Sequence, residues 1–138
     1  MNAYAGLTPR IHLNNLVSYL FGEQHNFYLT IQGRAAERLL LGALRDCKLV
    51  RNGDNVISNR PFDTTKGQIL NHGLTVDALT PVASPDTYMN AEDPFMGNID
   101  AKKLENYQNE KHRIVLLTLT DNGSGGQPVS VSNVKKVA

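Results

Sequence analysis

The sequence predicts an α+β fold: a single small domain over residues 1–138, mostly antiparallel sheet, with about three helices and a long irregular arm over residues 80–100. Two observations lead there. Apolar residues recur at helical spacing in separate stretches, and short β-branched runs alternate with Asn- and Gly-containing turns. Neither an internal repeat nor a composition break divides the chain.

Taken in order, Thr8-Pro9 opens a first helix, because threonine caps free amides and proline suits the first turn. Leu13, Leu16, Val17, Leu20 and Phe21 give its apolar spacing, and Gly22 stands where it should stop. Asn26 to Gln32 holds Phe27, Tyr28, Leu29, Thr30 and Ile31, a strand composition. Gly33 turns the chain into an amphipathic helix that ends near Lys48. Asn52-Gly53, between Leu49-Val50-Arg51 and Asp54-Asn55-Val56-Ile57, predicts a hairpin with a tight turn. Short strands are expected at Gln68–Leu70 and Leu74–Leu79. Asp100 caps a helix running to about Arg113, Ile114–Thr120 reads as a central strand, and Val129, Val131 and Val134 mark a returning strand after the Gly-rich turn.

The residues from 80 to 100 stand apart. Pro81, Pro85 and Pro94 punctuate a segment with Tyr88, Met89, Phe95 and Met96 among acidic groups. A structureless stretch of this length is uncommon in a compact domain unless it serves a function. Methionine and aromatic side chains combine adaptable contact with large apolar area, so Tyr88, Met89, Phe95 and Met96 read as a partner-docking arm.

Charge is unevenly placed although the net value is only +1. Arg34 to Lys66 carries seven basic and four acidic residues; Gly67 to Ala101 has no Lys or Arg. On a helix at about 100° per residue, Arg34, Arg38, Arg45 and Lys48 fall on one stripe with Leu41 between them. Ala36, Leu39, Leu40, Ala43, Leu44 and Cys47 lie on the other side, the face expected to meet the core. Forked guanidinium donors suit phosphate oxygens, so the stripe is a candidate nucleic-acid or partner surface. A solvated helix face gives the same pattern.

No enzyme signature stands out. His12, His25, His72 and His112 are scattered, the one cysteine, Cys47, has no thiol partner for a disulfide, and no paired metal motif occurs. Gly33 before a helix resembles a phosphate-binding turn in outline, but it is one glycine; Thr64-Thr65-Lys66-Gly67 lacks P-loop spacing. No catalytic residue, cofactor or metal is therefore assigned. The sequence lacks a secretory-type leader or an apolar run of about 20 residues, which predicts an intracellular soluble (cytoplasmic) protein, or a virion component, with no membrane partner. The expectation is a non-enzymatic assembly protein, a homo-oligomer or part of a larger complex, of viral or phage character. The alternative is a nucleic-acid-binding protein using the basic helix face, and the third reading is a small enzyme without a recognisable motif.

Overall fold

The computed structural model describes residues 7–22, 27–80, 94–107 and 112–138. Contacts group the chain into two compact units, Met1–Ile31 and Gln32–Ala138. In the first, α1 (Leu7–Phe21) closes as its apolar spacing predicts, with Gly22 at φ 92° and its amide bonded to the Ser18 carbonyl at 2.9 Å. Phe27 to Ile31 does not form the expected strand: this stretch is irregular, and Tyr28, Leu29 and Ile31 are exposed.

The second unit is built from α2 (Gly33–Asp46), β1 (Asn55–Ser58), α3 (Asp63–Asn71), β2 (Thr75–Ala78), α4 (Ala101–Glu105), β3 (His112–Leu116), β4 (Thr120–Asp121), β5 (Gln127–Pro128) and α5 (Val131–Val137). Its main sheet has the order β2-β1-β3, and both pairings are parallel. Antiparallel pairing is confined among the described residues to the two-residue strands β4 and β5. The mostly antiparallel fold class is thus corrected to a helix-rich α/β arrangement with short parallel strands.

The reason lies around Asn52-Gly53. The tight turn exists, with Gly53 at φ 82°, but its amide bonds the Gly73 carbonyl at 2.8 Å, at the end of α3. β1 therefore finds its partners across the α3 crossover and not across the turn. Every residue of β1 is buried, as a strand covered on both faces requires. Such a short apolar run has no alternation by which sequence could separate the two sheet types.

Successive residues of β1 address opposite faces. Val56 joins Leu41, Val50, Ile69 and Leu74, under α2 and α3. Ile57 joins Leu79 and Ile99, with Leu104, Tyr107 and Val137 of the α4 and α5 side packed around them. The result is three layers, helix on sheet on helix. β3 is an edge of the described sheet and not its centre. The Gln68–Leu70 segment belongs to α3, and Val131 and Val134 lie on a helix, α5, capped by Ser130, whose hydroxyl accepts from the Asn133 amide at 3.1 Å. The helix opened by Asp100 is one turn long; the Asp100 carboxylate accepts from the Lys103 amide at 3.1 Å, and the chain is back in a strand at His112.

Helix α2 turns a different face inward from the one its oily side predicts. Leu41 is its buried residue, whereas Leu39 and Leu40 are 62% and 61% exposed and Cys47 is exposed. On the helical wheel Leu41 sits beside Arg34 and Arg45, so the basic stripe borders the packed face instead of opposing it. Among the described residues no helix is long and apolar enough to cross a membrane.

Candidate active site at the carboxyl edge of the sheet

Two hydrogen bonds set the direction of the helices covering one sheet face. Thr65 Oγ1 donates to Glu37 Oε1 at 2.6 Å near their starts, and Arg45 Nη1 donates to the His72 carbonyl at 2.8 Å near their ends. The two pairs are separated by 28 and 27 residues, so α2 and α3 run side by side in the same sense. Because α3 follows β1 directly, both helix N-termini lie at the carboxyl edge of the parallel strands. In open α/β sheets this edge is where ligands bind.

The loops leaving the strands there are tied together by one interior side chain. Asn59, immediately after β1, is fully buried (0% exposed). Its Nδ2 donates to the Gly97 and Thr118 carbonyls, each at 2.8 Å, and its Oδ1 accepts from the Thr118 amide at 2.9 Å. The segment entering α4 is held in turn by Asn133, which accepts from the Ile99 amide at 3.0 Å and donates to the Ile99 carbonyl at 2.9 Å.

On this frame a cavity of about 160 Å³ is lined by Arg60, Pro61, Phe62, Asp63, Asn122 and Gly123. A second, of about 190 Å³, shares Arg60, Pro61 and Asp63 and adds Lys66, Val76 and Ala78. Phe62 is 43% exposed, offering an aromatic ring. Asp121 is 1% exposed, and Arg60 Nε stands 3.8 Å from its Oδ2. One helical turn beyond the Glu37–Thr65 bond lies the start of α2. Its first turn carries no acidic residue, Arg34 is exposed, and a Cβ at Gly33 would meet nothing within 4 Å. The helix dipole and the outward direction of the first N–H groups make such a terminus suited to an anion. Among the described residues no group of carboxylate, His and Cys side chains could hold a metal ion.

Of the residues singled out in the sequence, Arg34 lies at this edge. Arg38 is exposed farther along α2, Arg45 is committed to the His72 carbonyl at the opposite edge, and Lys48 follows the helix with φ 58°. Phe95 and Met96 are ordered beside the buried Gly97, while Tyr88 and Met89 lie outside the described residues. Asn59, Arg60, Phe62, Asp63, Asp121 and Asn122 were not signalled. The Asn122-Gly123-Ser124-Gly125-Gly126 run reads as a plain flexible turn, and Pro61 as an interruption, until the parallel sheet brings them together.

A parallel sheet flanked by helices, with aromatic, amide and charged groups at its carboxyl edge, is the arrangement in which open α/β sheets bind their ligands. Residues 2–138 match the family model described as beta-eliminating lyase, and the chain belongs to that family. It is 40% identical to a probable beta-eliminating lyase of Trichomonas vaginalis over 98% of its length and 28% of the relative's. It is 44% identical to a probable tryptophanase of Aeropyrum pernix (98% and 28%) and 34% identical to a tyrosine phenol-lyase of Pasteurella multocida (98% and 29%). The chain thus spans under a third of the length of these relatives. Membership in an enzyme family overturns the expectation of a non-enzymatic assembly, viral or nucleic-acid-binding protein. Arg34, Arg38, Arg45 and Lys48 are indeed exposed, but an exposed cationic helix face by itself selects neither an assembly surface nor an enzyme.

Proposed function

We propose that this chain forms part of a lyase that removes an aromatic leaving group from the β-carbon of an amino acid such as tryptophan or tyrosine. With one water, the products are the protonated aromatic, pyruvate and ammonia. What supports this reading is that an acid-free helix N-terminus and an exposed aromatic ring both belong to the carboxyl edge of the sheet, in a member of this family.

Elimination at the β-carbon requires a carbanion at the α-carbon, and pyridoxal phosphate, when bound, supplies the electron sink for it. The donor set fits that group. The Gly33–Arg34 start of α2 offers a helix N-terminus, open space and a guanidinium to a phosphate dianion. Phe62 offers an apolar face to a planar ring, and Asn122 lines the same cavity with a side-chain amide. Asp63, also in that lining, would accept a hydrogen bond from an indole N–H or a phenol O–H. The Asn59 bonds hold these loops in place before any ligand arrives, which lowers the ordering cost of binding. A cytoplasmic location is part of this proposal.

The test is titration of the purified protein with pyridoxal phosphate, followed by its absorbance, and then pyruvate release from tryptophan and from tyrosine. Gly33→Asp gives opposite signs for the two roles of this helix start. A carboxylate there should strengthen the helix by about 0.3–1 kcal/mol, yet repel a phosphate and weaken cofactor binding at least about tenfold. Unchanged cofactor affinity in that variant would remove the phosphate from this site.

A further inference from the structure

We propose that Arg60 is a positioning residue: its ion pair with Asp121 locks the segment after β4 against the segment after β1, so that Asn122 and Phe62 line one cavity. The inference rests on the proposed function for its consequence, but its geometry stands without it. Arg60 Nε lies 3.8 Å from Asp121 Oδ2, an ion-pair distance beyond hydrogen-bond length. Asp121 is buried, and Arg60 is partly exposed along the two adjoining cavities.

The second observation is steric. A Cβ at Gly123 would stand 2.6 Å from Arg60 Cδ and 3.4 Å from Asp121 Oδ1. The backbone of the 122–124 turn therefore lies directly on the methylene stem of Arg60. One face of that side chain is covered by a residue that has no side chain, and its charged end reaches a carboxylate shielded from water. Asp121 also precedes Asn122, and Arg60 stands two residues before Phe62, so movement in the pair is passed to both lining groups through one or two peptide units. A charge left alone in a buried position is costly, and the two segments are therefore energetically coupled through this contact.

The test uses the purified protein with Arg60→Met, Arg60→Lys, Asp121→Asn, Gly123→Ala and the double variant Arg60→Met/Asp121→Asn. The first readout is hydrogen–deuterium exchange without cofactor. Arg60→Met and Gly123→Ala should speed exchange in residues 120–126 by about tenfold or more, leave Val56 and Ile57 unchanged, and be matched by little change in Arg60→Lys. The double variant should recover much of the protection, because the cation and the carboxylate of the pair are then removed together. The second readout is pyridoxal phosphate affinity, which should fall about tenfold in Arg60→Met and return toward the parent in the double variant. Exchange that is unchanged in Arg60→Met, that rises equally throughout the sheet, or that combines in the double variant without coupling would overturn the proposal. If the parent protein fails to bind the cofactor, the proposed function falls, while the exchange experiment still decides the pair.

Discussion

Replacing Asn59 by leucine is the most demanding test of how the carboxyl edge is built. Leucine keeps the heavy-atom branching of asparagine, so no cavity is created; its bulkier methyls add some overpacking to the polar loss. Three backbone groups lose their partner, the Gly97 carbonyl, the Thr118 carbonyl and the Thr118 amide, and the buried Ser58 hydroxyl loses a longer bond of 3.4 Å. A buried backbone group left without a hydrogen bond costs about 1–3 kcal/mol, so the sum is roughly 3–6 kcal/mol once partial relaxation is allowed. Against a total stability of about 5–15 kcal/mol, the shift in a urea midpoint should be large. Asn59→Asp sharpens the prediction. Its carboxylate would still accept from the Thr118 amide, but the second oxygen would face two carbonyls, and only the protonated form could donate to one of them. The folded state then raises the carboxyl pKa above its ordinary value of about 3.9. The variant's stability relative to the parent is therefore best below that value and declines as pH rises through the raised one. Urea unfolding of parent and variants across pH measures both effects. A leucine variant within about 1 kcal/mol of the parent, or an aspartate variant gaining stability as pH rises, would refute the reasoning.

Two further substitutions probe the frame. Thr65→Val should cost about 1–3 kcal/mol in thermal unfolding, because Glu37 loses its one hydroxyl donor while its other carboxylate oxygen is already buried without a hydrogen-bond partner among the described residues. Gly97→Ala would place a methyl 2.5 Å from the Gln127 carbonyl and 2.8 Å from that of Pro128. Backbone must then separate, and a lowered unfolding midpoint together with faster proteolysis near residues 97–98 is the expected result.

Local elements were legible where neighbours in sequence decide them. The first helix stops at Gly22, and Asp100 caps a helix through a bond to the residue three positions on; Ser130 caps a helix in the same way where the valine spacing predicts a strand. Sheet type was not legible, because β1 is four residues long, buried on both faces and paired with strands about 20 and 57 positions away. The inward face of α2 misled for a related reason. Leu39 and Leu40 dominate its apolar side, yet the contact with Val56 and Ile69 is made by Leu41 alone among its buried residues. The candidate site was illegible as a group because Phe62 and Asn122 are 60 positions apart and meet only through the parallel crossover. Gly33 and Arg34 were noticed separately, one as a turn and the other as a cation, and their joint meaning needed the direction of the helix.

Asn59 carries a consequence for how such an enzyme can change. Since an amide rooted in the interior dictates where three connecting segments leave the sheet, the outline of the recess is inherited from the folded scaffold and not negotiated with each incoming molecule. Exchanges at Phe62, Asp63 or Asn122 can then alter the lining of the recess while the Asn59 bonds that shape it stay untouched.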